Sequence, residues 1–176
     1  MPATLQNCHV SVVKMQHVID IQRQVDAEDL PDEAGLVRWV TGALQDQTQA
    51  CELTVRLVDA EEMQALNLAY RGKDYATNVL SFPADLPEEI VAQMPERLLG
   101  DLVLCLPVLR REAAEQGKTL AEHMAHLLVH GCLHLQGYDH EDDAQAAEME
   151  QKEIHILALE GISNPYEQEA GRPELP

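Results

Sequence analysis

The sequence predicts one domain of mixed α and β structure, with about four strands and four or five helices. Three observations carry the expectation. A chain of 176 residues suits a single domain and is long enough to bury a core. Segments with strand periodicity and segments with helix periodicity interleave along it. No repeat, low-complexity tract or internal linker divides them. The domain is expected over residues 1–162, with "SNPYEQEAGRPELP" (163–176) as a flexible tail.

Each element has its own signal. "HVSVV" (9–13) is β-branched and alternating, as a strand requires. "DLPDEAGLVRWVTGALQ" (29–45) reads as a helix. Pro31 suits its first turn, acids crowd that turn, and Leu36, Val37, Val40, Ala43 and Leu44 form one apolar stripe. "CELTVRLV" (51–58) is a second strand. Asp59 then caps a helix through Tyr70, with Glu62 placed as in a capping box. "RGKDYATNVLSFP" (71–83) is a polar loop running into a short strand that Pro83 stops. Residues 84–100 contain Pro87, Pro95 and Gly100 and read as a long loop with a short helical turn. "DLVLCL" (101–106) is a strand, and Pro107–Gln116 a helix ended by Gly117. Thr119 and Glu122 form a second capping box and open a helix to about Gln136. Its core face is Leu120, Met124, Leu127, Leu128 and Leu135. Acids near Asp142 open a last helix, and Gly161 ends it.

Composition narrows the class. Aromatic residues are only 3% of the chain, so aliphatic side chains must build the core. The longest apolar run, "LVLCLPVL" (102–109), is far short of the roughly 18 residues of a membrane span. The N-terminus lacks the basic and apolar regions of a secretory signal. Cys8, Cys51, Cys105 and Cys132 are scattered with no CxxC pair, so free thiols and a cytoplasmic location are expected. The net charge of −19 repels polyanions at long range. Residues 71–118 are the exception, with six cations (Arg71, Lys73, Arg97, Arg110, Arg111 and Lys118) against eight acids. A polyanion would have to meet the middle of the chain.

"HGCLHLQGYDH" (130–140) concentrates the chemistry. Residues four apart share a helix face, so His130 and His134 point the same way, at the spacing by which two imidazoles reach one metal. Gly137 suits a left-handed helix end, and the reversal lets His140 return to the same point. Three neutral nitrogens and an open position describe a catalytic rather than a closed structural site. Cys132 lies about 200° round from His130 and is expected to be buried. His126 is on the ligand face but about 12 Å from His134, too far for the same ion, so it is either a residue of the cleft or behind the ligands, or an ordinary packed histidine. Asp139 either orients an imidazole or serves the turn. In zinc proteases the frame is HExxHxxGxxH, whose Glu is the general base; here that position is Gly131.

This stretch resembles the signature of the YbeY family of bacterial metal-dependent endoribonucleases. "NLAYRGKDYATNVLSFP" (67–83) and "LLGDLVLC" (98–105) are similar to two further stretches of that family, in the same order. The resemblance implies an α/β fold with a central mixed sheet of about four strands covered by helices. It implies that His130, His134 and His140 ligate one divalent metal ion, for which zinc is expected, and that His130 and Arg71 serve catalysis. Arg71, with Lys73, would bind the RNA phosphates. Asn78 stands where many members carry aspartate. The implied activity is single-strand-specific cleavage in maturation of the 16S rRNA 3′ end and in ribosome quality control. The implied partners are single-stranded rRNA, the small ribosomal subunit with its proteins, and an Era-type GTPase. Two other readings stay open: a ribosome-assembly factor with a mainly structural metal, and a metallohydrolase of another class on a peptidase-like frame.

Overall fold

The computed structural model describes residues 15–167. Ten elements follow in order: β1 (Val18–Arg23), α1 (Glu33–Ala43), β2 (Cys51–Val58), α2 (Ala60–Arg71), β3 (Val79–Pro83), α3 (Glu88–Val91), β4 (Arg97–Cys105), α4 (Leu106–Glu115), α5 (Leu120–Leu135) and α6 (Asp143–Leu159). The strands form one mixed sheet in the order β1-β2-β4-β3. β1, β2 and β4 run parallel, and β3 pairs antiparallel with β4 at an edge. The expected mixed α/β architecture is therefore the observed one.

Several boundaries differ from the expectation. The predicted strand at 9–13 lies outside the described residues; the first described strand, β1, spans 18–23, which the periodicity reading passed over. β4 begins at Arg97, four residues before the predicted start, because β2 extends far enough to pair with it there. The pairing jumps from Glu52↔Leu98 to Leu53↔Gly100, which leaves Leu99 as an inserted residue. Gly100 takes φ +128, and a Cβ there would stand 2.0 Å from the Phe82 carbonyl oxygen. Only glycine lets β3 close onto the sheet at this bulge. Within the stretch assigned to the tail from composition, Pro165 is buried and the Tyr166 hydroxyl bonds to Glu153, while Ser163 and Glu167 are exposed. That hydroxyl has a buried carboxylate to reach, which polarity along the tail does not reveal.

β2 alternates, and this sorts the layers. Cys51, Leu53, Val55 and Leu57 are buried in the main core with α1, α5 and α6. Glu52, Thr54 and Arg56 are only partly buried. A second, smaller cluster (Val58, Met63, Leu80, Val103, Cys105 and Val108) packs under α2 and α4. α5 is the central helix, touching α1, α4, α6, β3 and β4. Both halves of its capping box form: the Thr119 hydroxyl accepts from the Glu122 amide, and the Glu122 carboxylate accepts from the Thr119 amide. The predicted box on α2 forms only by half. Asp59 accepts from the Glu62 amide at 2.8 Å, but the Glu62 carboxylate turns to Arg56 at 2.7 Å, where it gains a full charge partner.

Two features of α5 position the site. A Cβ at Gly131 would lie 2.8 Å from Leu102 Cδ2, so the missing side chain lets α5 settle close against β4. Position 131 is packed against Leu102 of the sheet, which leaves no room there for a glutamate side chain. At the C-terminal end Gly137 takes φ +97, and the Tyr138 amide returns to the Leu133 carbonyl at 3.1 Å. The chain reverses there, as the glycine predicts.

Candidate metal centre

His126, His130 and His134 stand at four-residue intervals along the face of α5 turned toward α6, and the reversal at Gly137 brings His140 back beside them. The ligand-capable atoms of His130, His134 and His140 lie within 4.8 Å of one another. His140 is exposed, while the other two rings are partly buried.

The outer nitrogens decide what this cluster is built for. His130 Nδ1 donates to Glu153 Oε1 at 2.6 Å, and His134 Nδ1 donates to the Tyr138 carbonyl at 3.0 Å. A carbonyl and an ionised carboxylate only accept, so both Nδ1 atoms carry the proton. In neutral rings the two Nε2 atoms then hold bare lone pairs, and they face each other at 3.0 Å. Two lone pairs at that distance repel. A cation between them turns the repulsion into ligation, and zinc–nitrogen bonds of about 2.1 Å would span the gap. The donor set thus fits a divalent metal ion. Burial first, and then the neighbouring His130 and His140, lower the His134 pKa, which keeps that ring neutral as a ligand must be.

Glu153 is the residue that sequence reading missed. It reaches up from α6, is 1% exposed, and accepts from three groups: His130, His126 Nε2 at 3.0 Å, and the Tyr166 hydroxyl. Burial alone would raise its pKa. The bonds from His126, His130 and Tyr166 overturn that and hold it at about 2. One signal was available: Glu153 interrupts the buried row Met149, Ile156, Leu157 on α6. His126 therefore sits behind the three-histidine cluster, on the carboxylate that bonds to His130. Asp139 serves the turn, since its Oδ1 accepts from the His140 amide at 2.8 Å. Cys132 is buried on another face of α5, and burial pushes its thiol up to about 12, so it is an inert packing residue.

Arg71 is not in a loop, as its polar neighbours suggested. It is the last residue of α2, where a cation also suits the helix dipole. Its Nη2 donates to the Ser81 carbonyl at 3.0 Å, and its guanidinium stands 5.6 Å from the centre of the Phe82 ring. Arg71 and His134 line opposite parts of one open cleft of about 540 Å³, together with Ser81, Pro83, Tyr138 and Asp139. The structure thus brings Arg71 to the histidines across sixty residues of chain. Lys73 is exposed in the segment after α2 and does not line that cleft. Asn78 braces the fold: its amide donates to Glu112 at 3.1 Å and its Oδ1 accepts from the Val79 amide.

The chain is similar to several known proteins. The family model described as Endoribonuclease YbeY matches residues 19–160. A Pseudomonas putida protein named Endoribonuclease YbeY is 55% identical over 148 residues, 84% of this chain and 92% of the relative. Proteins of the same name from Stenotrophomonas maltophilia and Xanthomonas axonopodis pv. citri are 57% and 58% identical over 137 residues, 78% of this chain and 85% of each relative. A Thermotoga maritima protein solved in solution aligns with TM-score 0.56 at 23% identity, over 90% of this chain and all of that one, which shows the shared fold.

Proposed function

The chain belongs to the YbeY endoribonuclease family, and on that premise we propose that it is a metal-dependent, single-strand-specific endoribonuclease of 16S rRNA 3′-end maturation and ribosome quality control. The observation that supports metal dependence is the pair of imidazole Nε2 lone pairs held face to face by fully committed Nδ1 atoms. His130, His134 and His140 are the proposed ligands, and zinc is the proposed ion because neutral imidazoles suit it. When bound, such an ion supplies Lewis acidity and lowers the pKa of water toward 7.

The chain's own groups then divide the work. Arg71 holds a phosphate by its free guanidinium nitrogens, while the Ser81 carbonyl keeps the guanidinium aimed into the cleft. Its fixed positive charge steadies the negative charge that builds on the phosphoryl oxygens in the transition state. Glu153 fixes the ring angle and tautomer of His130, and the Tyr138 carbonyl does the same for His134. The peptidase alternative loses support from Gly131, which faces Leu102 rather than the cleft. No helix among the described residues is long and apolar enough to cross a membrane. A cytoplasmic site of action beside the small ribosomal subunit and an Era-type GTPase completes the reading.

One experiment tests it: metal content and cleavage of single-stranded rRNA, measured on wild type beside His134→Ala and Arg71→Glu. We expect His134→Ala to lose both. Arg71→Glu keeps its metal and loses cleavage. Unchanged cleavage by a metal-free His134→Ala protein would overturn metal dependence.

A further inference from the structure

The chain has six aromatic side chains, and only Trp39 is in the main core. The Tyr166 ring attends His126, and the Tyr138 ring lies against Lys152. Tyr70 and Phe82 form a pair of their own beside Arg71, with ring centres 5.1 Å apart and an edge-to-face angle of 70°. Tyr70 is 64% exposed, so its ring face is open to solvent. The pair lines a second groove of about 540 Å³ on the sheet face away from α5, whose floor includes Gln22, Thr54, Arg56 and Asp101. β3 is the edge between the two recesses. Its Ser81 and Pro83 face the histidine cleft, and its Phe82 faces the groove.

We propose that Tyr70 and the groove behind it form a subsite for an unpaired nucleobase, contiguous with the phosphate held by Arg71. This inference rests on the RNA-cleaving reading above. The occupant follows from the lining. Arg56 is already engaged by Glu62 and Gln22, and Asp101 is an acid, so the groove repels a phosphate. It has no such quarrel with a neutral base. An exposed phenol ring offers a stacking face, and Asp101, Thr54 and Gln22 offer acceptors and donors for a base edge. The guanidinium over Phe82 ties the two halves together: backbone on the Arg71 side, base on the Tyr70 side. Base pairing would bury the edges that the floor must read, so the subsite selects a single strand.

The test is equilibrium binding of a short labelled single-stranded oligoribonucleotide, and of its fully abasic counterpart, to the full chain in chelator at low salt. Wild type should prefer the oligonucleotide with bases. Tyr70→Ala should weaken its binding about tenfold, with no change in the salt slope and with most of the preference over the abasic strand lost. Tyr70→Phe should stay within about twofold of wild type, since it keeps the stacking face. Arg71→Glu should weaken both strands and shrink the salt slope by about 0.7. If Tyr70→Ala binds both strands as wild type does while Arg71→Glu does not, the base subsite is overturned and the RNA reading stands. If wild type binds neither strand, both fall. Tyr70 is exposed enough that matching thermal melts will show the variants to be folded.

Discussion

Replacing Glu153 by glutamine separates orientation of the proposed metal site from its proposed ligands. The change preserves size but removes the charge that three neighbours share. Glutamine keeps one accepting oxygen and presents an NH2 group to partners that are themselves donors: His130 Nδ1, His126 Nε2 and the Tyr166 hydroxyl. His130 then loses the partner that fixes its tautomer, and loss of such a partner costs about 10- to 100-fold in metal affinity. The same change carries a stability signature. A carboxyl held at about 2 rather than its ordinary 4.5 is favoured in its charged form by about 3 kcal/mol. Because the folded pKa is the depressed one, that stabilisation is complete above pH 4.5 and drains away as pH falls toward 2. Two assays read the two effects. Zinc competition against a chromophoric chelator at pH 7 should show the 10- to 100-fold loss. Urea melts of metal-free protein should place Glu153→Gln below wild type by up to about 3 kcal/mol at pH 7, the gap narrowing below pH 4.5. Zinc affinity within about twofold of wild type, with a pH-independent stability gap, would show that Glu153 packs the helices and orients nothing.

Three other outcomes follow from geometry already described. Tyr166→Phe removes one donor to Glu153 and should weaken zinc retention by less than Glu153→Gln, about three- to tenfold in the same competition assay. Gly131→Ala must displace Leu102 in the core and should cost about 1–3 kcal/mol in urea, whereas Gly131→Glu buries a charge there and should abolish folding rather than create a peptidase. Gly100→Ala places a Cβ against the Phe82 carbonyl and should cost about 3 kcal/mol or more; by displacing Phe82 it should also disturb Arg71, so RNA cleavage per folded molecule should fall.

What could be seen in the chain was whatever depends on near neighbours. Thr119 with Glu122, the apolar face of α5 and the reversal at Gly137 are all local devices, and all three formed as their spacing required. The cluster of His130, His134 and His140 is local for the same reason. What stayed hidden depends on partners from far along the chain. Glu153 is one acid among many on α6 until α5 is laid against it. Arg71 looked like part of a polar loop because the Gly72 helix end was read as its start. Glu62 satisfied a capping pattern on paper, but Arg56 from β2 competes for its carboxylate. β1 was missed because its alternation is weak, and its burial comes only from pairing with β2.

The closeness of the three imidazoles along the chain reaches into the denatured state. Residues 130–140 carry the whole proposed ligand set, so an unfolded chain still holds three imidazoles within one short loop. An ion with affinity for both states stabilises only by the difference between them. The melting temperature should therefore rise less on zinc loading than the native affinity alone implies. The difference is carried by Glu153 and the Tyr138 carbonyl, which orient the rings only in the folded protein. In this chain the heat resistance gained on zinc loading reports only the part of the grip that folding adds, not the whole of it.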